Sequence, residues 1–558
     1  MFGTGSEFFQ LTKRLRLIIF SLTVSSMFML LAQADTAPAA TVTTLPTLAP
    51  ANCPDTMITR GNPWPLIQPQ IQNAVVQVFA QVAEFNWLQP YAVANQTVSS
   101  GSGFFINDQG MLITNAHVIN QAKLITCQIP SLGKEQFELE IVGVSFDRDI
   151  ALLKLKNIDE VKTALGGTIP YLLLGDSDAI SRGEEIMAVG FPLGQQFLKT
   201  TVGIISGYES FGGRQYIQID APINPGNSGG PAVNANAHVI GINTAGVMSA
   251  QNVGYIIPVR ELQMVIKDLC EAPNKLLRRP YLGVWYSSAT KEVANFFGNP
   301  PIGGCLIFDV AKGGLLDRAG IQAYDMIYEV NGLKLDFFGD ISIPGKMDHI
   351  SLLDYVSYQT LGSEISFIVY RKGQRLEVKT KLEVVSLPAI RAMYPDFEKI
   401  DYEIFGGFVI MSLALNHIPL LVQKVPGLLK YDKPQEQNDP ILVISHILPA
   451  SAAQSSRIFV AGNSLKEVNG VPVKTLAEFR TALQKSLASG VFTIKTENDV
   501  FSVFSLAKLL ADEPKLALLG HYQLTETVRE LLQKFELQQL TMPVVKSDAK
   551  THKAKAKK

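Results

Sequence analysis

Between residues 63 and 269 the chain is cut into short apolar or alternating runs. They fall at 74–81, 103–106, 111–113, 124–129, 150–155, 185–189, 203–206, 216–219, 239–242 and 254–257, with Gly, Asn and Asp between them. Runs this short do not suit amphipathic helices, whereas strands of about four to eight residues between turn formers build sandwiches or barrels. No helix alternates with them, so a dinucleotide-binding sheet is excluded and Gly101-Ser102-Gly103 reads as a strand entrance rather than a phosphate loop. The spacing predicts a mainly β domain of antiparallel strands.

The remaining length calls for further domains, since 558 residues exceed what one core organises. With 47% hydrophobic and 18% charged residues, there is enough apolar material to offset the entropy of ordering. Lys and Arg (49) nearly cancel Asp and Glu (50), so no basic excess exists to neutralise phosphates and no nucleic-acid partner is expected. Residues 1–34 read as a secretory signal: Lys13, Arg14 and Arg16 precede an apolar stretch at 17–31 and the small residues of Ala32-Gln33-Ala34. That stretch falls short of the ~20 residues of a spanning helix. The expected location is exported, in a bacterial periplasm, with secretion or an uncleaved membrane anchor as alternatives. Residues 35–62 form an Ala/Thr/Pro-rich lead-in, and 546–558 a basic tail. Cys53, Cys127, Cys270 and Cys305 allow three pairings, and their spacing fits no metal cluster. Cys53 and Cys127 are candidates to clip the lead-in to the first domain, and buried free thiols are the other reading. No metal and no cofactor is expected.

Three polar sites interrupt the β runs. His117 stands between apolar stretches in Thr114-Asn115-Ala116-His117-Val118, and Asp147-Arg148-Asp149 leads into Ile150-Ala151-Leu152-Leu153. Ser228 sits in Asn224-Pro225-Gly226-Asn227-Ser228-Gly229-Gly230-Pro231. Taken singly, a histidine there is usually structural and an acid usually caps a strand. The serine turn is harder to explain as a plain loop. Glycines on both sides permit torsions that aim amide N–H groups at one point, which is what a nucleophile and its developing oxyanion require. The order His, Asp, Ser then supplies a base, an orienting acid and a nucleophile.

At these residues the chain resembles the chymotrypsin-fold serine proteases and, among them, the HtrA/Deg family. The matching stretches are Gly101-Ser102-Gly103-Phe104-Phe105-Ile106, Thr114-Asn115-Ala116-His117-Val118, Asp149-Ile150-Ala151-Leu152-Leu153-Lys154 and residues 220–230. The resemblance implies a double β-barrel over residues 63–272, with His117 as general base, Asp149 as its orienter (Asp147 second choice) and Ser228 as nucleophile. It also implies an oxyanion hole of the Gly226 and Ser228 N–H groups. A histidine base must be neutral, so activity is expected to fall below about pH 6.5. Where trypsin-like relatives carry an acid at the pocket floor this chain has Pro222, and the remaining walls are assigned to Asn243, Thr244, Ala245, Tyr255 and Ile256. Small or medium aliphatic residues are therefore expected before the scissile bond.

Beyond a closing helix at 262–277, Tyr281-Leu282-Gly283-Val284 opens a unit at 278–387 that resembles a PDZ domain, with this run as its loop for a peptide's C-terminal carboxylate. Residues 335–347 form an unusually long connection that would cover its groove. After a linker at 388–402, Glu329-Val330-Asn331-Gly332 is echoed by Glu467-Val468-Asn469-Gly470 in a second, degenerate PDZ-like α+β unit at 403–510. Its loop at Gly406-Gly407-Phe408 is irregular, and peptide binding there is doubtful. A helical segment at 511–545 carries Val528, Leu531, Leu532 and Phe535 on one face. This layout is closest to the plant-type Deg branch and its bacterial relatives. It implies ATP-independent cleavage of unfolded polypeptides, C-terminal peptides as ligands of the first PDZ unit, and assembly as a homo-trimer or a multiple of trimers. Phe85, Trp87 and Tyr91 are candidates for the trimer contacts. A holdase or peptide sensor with a resting triad, and a processing protease dedicated to one partner, are the alternatives.

Overall fold

Strand alternation sorts neighbouring residues into different cores, and two closed barrels result. The first contains β1 (Val75–Glu84), β2 (Asn95–Phe105), β3 (Met111–Thr114), β4 (Ala122–Gln128), β5 (Phe137–Ser145) and β6 (Ile150–Leu155), ordered β1-β2-β3-β6-β5-β4 and closed by β1 on β4. The second contains β7 (Glu185–Gly190), β8 (Lys199–Phe211), β9 (Arg214–Ile219), β10 (Pro231–Val233), β11 (Val239–Gly246) and β12 (Gly254–Pro258), ordered β10-β11-β12-β9-β8-β7 and closed by β7 on β10. The computed structural model describes residues 62–211, 214–246, 252–343, 349–384 and 387–541. The expected signal, Cys53, the basic tail and nearly all of the lead-in lie outside them.

Because side chains alternate along a strand, Phe105, Leu112 and Leu153 fill the first barrel while their neighbours Phe104, Ile113 and Leu152 face the second. There they meet Met187, Val189, Val239 and Ile242, and helix α1 (Trp64–Ile71) seals the seam with Trp64, Ile67 and Ile71. Helix α2 (Val259–Glu271) buries Val259, Leu262, Val265 and Leu269 at helical spacing. It approaches β5 so closely that a Cβ on Gly143 would lie 2.1 Å from the Leu269 carbonyl oxygen. Two strands escaped the sequence reading. Strand β5 alternates Phe137, Leu139 and Ile141 with the outward Glu138 and Glu140, a half-buried pattern that was passed over, and β10 is only three residues long. Cys127, Cys270 and Cys305 are free thiols, and burial pushes Cys127 up to about 12. No helix among the described residues is long and apolar enough to cross a membrane.

The next unit is a sheet of β13 (Val284–Ser288), β14 (Cys305–Val310), β15 (Met326–Val330), β16 (Glu364–Arg371) and β17 (Gln374–Lys381), packed with helix α3 (Leu352–Ser357). The β16–β17 hairpin turns on Lys372 and Gly373, both at positive φ as a two-residue turn demands. Strand β13 pairs only with β14 among the described strands, leaving an open sheet edge after Gly283. Of the long connection, residues 340–342 pair with 349–351.

The last unit differs at the corresponding place. Strand β18 (Tyr402–Phe405) turns at Gly406-Gly407 and pairs with β19 (Phe408–Ser412), whose other edge holds β20 (Leu442–Ile447). Both edges of β19 are thus filled from within the chain. A second sheet of this unit contains β21 (Leu465–Val468), β22 (Val491–Thr496) and β23 (Phe501–Ser505), with helix α4 (Leu476–Gln484) packed on it. Helices α5 (Leu506–Gly520) and α6 (Glu526–Thr541) belong to the same core: Leu506, Leu509, Leu510, Val528 and Leu531 are buried in it, with Leu532 and Phe535 against it. The aromatic segment at 85–91 packs against this unit. Trp87 packs edge-on to the buried His417 ring at 5.2 Å, Phe85 packs on Trp87, and Tyr91 lies 5.5 Å from Tyr522.

Glu513 of α5 is fully buried and accepts hydrogen bonds from the Gly406 N–H and, at 3.4 Å, the Tyr522 hydroxyl. Burial, helped by Glu403 and Asp512, pushes its carboxyl up to about 7. A carboxyl raised on folding stabilises the fold below its unfolded value and loses that contribution as pH climbs through the folded value. The expected outcome is a loss on the order of 2–3 kcal/mol in this unit between about pH 4.5 and 7. Urea unfolding followed by Trp87 fluorescence, with Trp64 and Trp285 changed to Phe, measures it, and Glu513→Gln should flatten the dependence.

Candidate active site

Strand β3 runs out at Thr114 into a single 3-10 turn, Ala116–Val118, whose Ala116 and Val118 are buried. The turn leaves His117 facing outward, with its side chain 51% exposed. Opposite it, the turn between β5 and β6 ends at Asp149, held at φ +55° with its side chain 14% exposed. The Asp149 carboxylate accepts from the His117 backbone N–H at 3.0 Å and lies 2.9 and 3.0 Å from His117 Nδ1. Thr244 Oγ1 donates to the same carboxylate at 2.8 Å, and the buried Asn115 amide donates to the Asp149 carbonyl at 2.9 Å. These bonds fix the ring's Nδ1 against the acid and leave Nε2 pointing away from it.

The loop that carries Ser228, residues 224–230, links β9 to β10 of the second barrel and meets β2 of the first at Ser102. Gly226 and Gly229 sit at φ +101° and +86°. A Cβ on Gly226 would lie 2.3 Å from the Phe191 carbonyl oxygen, and one on Gly229 2.2 Å from that of Ser102. Both glycines are therefore required twice, by torsion and by contact. Ser228 Oγ donates to the Thr244 carbonyl at 3.1 Å, so Thr244 links the serine to the acid through its two ends. The Gly226 and Ser228 N–H groups donate to no acceptor among the described residues.

Gly101-Ser102-Gly103 is more than a strand entrance. Ser102 Oγ donates to the Gly226 carbonyl at 2.7 Å and accepts from the Phe191 N–H at 2.9 Å. The Ser102 N–H reaches the Ser228 carbonyl at 2.8 Å, and its own carbonyl accepts from Thr114 Oγ1 at 2.7 Å. The flanking glycines let β2 come this close, since side chains there would strike Val118 and the Ile113 carbonyl. Sequence reasoning missed Ser102 and the Thr244 hydroxyl. The signal available was a small polar residue between two glycines, directly before the apolar run Phe104-Phe105-Ile106.

The structure brings His117, Asp149 and Ser228 to one seam, but it redistributes the residues assigned to the pocket. Asn243 is fully buried and its amide donates to the Val189 and Pro231 carbonyls at 3.0 and 3.3 Å, so it ties strands together rather than lining a pocket. Ile256 is fully buried in the second barrel's core. Thr244 sits at a bulge in the β11–β12 ladder, which turns it toward the acid. Pro222 is exposed, and Tyr255 packs near Tyr216. Ala245 pairs with Tyr255 in that ladder. Asp147 makes no contact with His117: its carboxylate accepts from the Arg279 N–H at 3.2 Å. In the next unit Leu282 and Val284 are buried, Tyr281 is half-buried with its hydroxyl 3.3 Å from Asn438, and Gly283 stands at φ +70° before the open β13 edge.

Residues 101–242 match the trypsin-like peptidase domain family, and residues 395–528 match a PDZ domain family. A probable periplasmic serine endoprotease DegP-like of Hahella chejuensis is 28% identical over 421 residues, covering 73% of this chain and 80% of that one. Its namesake from Chlamydia trachomatis serovar D is 26% identical over 414 residues, 72% and 73% of the two chains. The putative serine protease HhoB of Synechocystis is 33% identical over 258 residues, 43% and 59% of the two chains. Among solved structures, HtrA-type protease AlgW with a decapeptide is 26% identical and covers 57% of this chain and 98% of that one, at a TM-score of 0.45.

Removing the hydroxyl that Asp149 receives tests the local electrostatics. Thr244→Val keeps the β-branched shape and deletes a hydrogen bond to a charged group, typically ~1.5–3 kcal/mol. The expected outcome is a fall in kcat of about tenfold or more in peptide hydrolysis, with KM little changed.

Proposed function

This chain belongs to the HtrA/Deg family of serine endoproteases, and on that premise we propose that it cleaves unfolded or damaged exported polypeptides without ATP, through His117, Asp149 and Ser228. The observation that carries the assignment is the Asp149 carboxylate, bonded at once to the His117 ring, the His117 backbone and Thr244. In the catalytic cycle the Ser228 hydroxyl turns from the Thr244 carbonyl to His117 Nε2, which takes its proton as Oγ attacks the peptide carbonyl. Asp149 holds the ring's tautomer and stabilises the imidazolium that forms. The oxyanion of the tetrahedral intermediate is received by the Gly226 and Ser228 N–H groups, and losing one such donor costs typically about 2.7–4 kcal/mol of barrier. His117 then returns the proton to the leaving amine, and water repeats the sequence on the acyl-enzyme.

Substrates are polypeptides cut after small or medium aliphatic residues, because no fixed charge stands at Pro222 to hold Lys or Arg. The first PDZ unit takes C-terminal peptides as an added strand on β13, with the Gly283 turn supplying amides to the carboxylate. The second unit is structural, its β19 edges being filled. A periplasmic site of action follows the naming of the DegP-like relatives, and assembly from trimers is part of the same proposal.

Degradation of casein by the purified chain without ATP is the direct test. Wild type is expected to cut it after aliphatic residues and Ser228→Ala to leave it intact. Equal cutting by both would end the assignment, and cuts chiefly after Lys or Arg would end the pocket reading.

A further inference from the structure

The turn that presents Asp149 is held from outside the protease barrels, one residue after another. Phe146 stacks on Tyr394 of the linker at 4.0 Å between ring centroids with planes 15° apart, and meets Phe397 edge-on at 5.7 Å. Tyr394 is itself pinned: Arg278 lies over its ring at 4.7 Å, and its N–H donates to Glu398, which pairs with Arg278 and Arg391 at 2.5 and 2.9 Å. Asp147 accepts from the Arg279 N–H at the junction between protease and first PDZ unit. Arg148, with its side chain 3% exposed, pairs with the buried Glu261 of α2 at 3.3 Å and donates to the Ser357 carbonyl at 3.1 Å.

Ser357 is the last residue of α3, where a helix leaves carbonyls without intrahelical partners and a cation is favoured. The next residue, Tyr358, closes the same contact. Its buried hydroxyl donates to Gln215 of β9 at 3.2 Å, and Arg260 lies over its ring at 5.1 Å. Helix α3 shares its core with the open-edge strand, Leu352 and Val356 packing in one cluster with Val284. The four-residue turn has few internal bonds (Arg148 N–H to Ser145 at 3.3 Å, Asp149 N–H to Phe146 at 3.2 Å), and while His117, Thr244 and Asn115 hold its end residue Asp149 from the barrels, its other three residues take their long-range contacts from the linker, the Arg279 junction, α2 and α3.

We propose that Phe146, Asp147 and Arg148 are positioning residues through which the linker and the C-terminal end of α3 set the placement of the catalytic acid. The inference rests on the triad assignment above and adds a source of positioning: the linker and the first PDZ unit hold the Asp149 side of the site. Misplacing an orienting group by about 1 Å can cost on the order of 10²-fold in rate. It also weakens the support for the His117 imidazolium, so the acid limb of the pH–rate profile moves to lower pH.

The test uses the full chain with a fluorogenic peptide. Tyr394→Leu breaks the stack from the linker side, far from the reacting atoms. Arg148→Met combined with Glu261→Gln removes the guanidinium without leaving a lone buried carboxylate. Each is expected to lower kcat about 10- to 100-fold with KM within about threefold, and to move the acid limb down by roughly half a pH unit or more. Tyr394→Phe, which keeps the ring, is expected to keep the wild-type limb. A uniform loss at every pH, with the limb unmoved in both disruptive variants, would mean a structural role only and overturn the inference. The low-field proton resonance of the His117 ring bonded to Asp149 gives a reading independent of turnover: it should shift in both disruptive variants, and an unshifted resonance overturns the inference as well. Absence of Ser228-dependent hydrolysis by the wild-type chain would instead count against the protease assignment, with that resonance still deciding this one.

Discussion

Ser102 holds the catalytic seam together. Its four hydrogen bonds reach the nucleophile loop at Gly226 and Ser228, the end of β7 at Phe191 and the end of β3 at Thr114. They join the barrel that carries His117 and Asp149 to the barrel that carries Ser228. The residue is fully buried, so every one of its polar atoms must be paired, and a network of this kind is rigid only when complete. Glycine at 101, 103, 226 and 229 is what lets the backbones meet at that distance. The apolar seam of Phe104, Ile113, Leu152, Met187 and Val189 then keeps water away from those bonds.

Much of this is legible in the sequence. The double barrel follows from short alternating runs, and the candidate triad residues stand out because each is a polar interruption in a specific local setting. What stayed hidden depends on partners far away in sequence. Ser102 meets Gly226 and Thr244 meets Asp149 across about a hundred residues; the flanking glycines mark Ser102 as unusual without naming its partners, and nothing local marks Thr244. Strand β5 carries the half-buried alternation of Phe137, Leu139 and Ile141 with Glu138 and Glu140, a signal that was there to be read. Asn243 and Ile256 were assigned to the pocket walls alongside the resemblance, yet Ile256 faces the barrel core and the buried Asn243 amide ties strands together next to the bulge at Thr244. The packing of Trp87 and Tyr91 on the second PDZ-like unit was not legible because their partners, His417 and Tyr522, lie more than three hundred residues downstream.

The two downstream units show how one module diverges under local constraint. In the first, a glycine at positive φ precedes a strand with an open edge, the setting for β-addition. In the second, a tight Gly406-Gly407 turn folds β18 back onto that edge, and α5 delivers the Glu513 carboxylate to the Gly406 amide. An unpaired edge is a liability for a stable protein, and here it is removed from within. The second unit thereby gains a continuous core with α5, α6 and the Phe85–Tyr91 segment. The first remains the unit with an unoccupied strand and a helix end tied to Arg148.

The central claim is that one serine is activated by one histidine and one aspartate at this seam. Reaction of the full chain with a fluorophosphonate, followed by mass-spectrometric mapping of the adduct, addresses it without assuming any substrate. The account predicts modification of a single residue, Ser228, at a rate that collapses in His117→Ala. Modification elsewhere with Ser228 untouched, or labelling of Ser228 that proceeds equally well without His117, would contradict it.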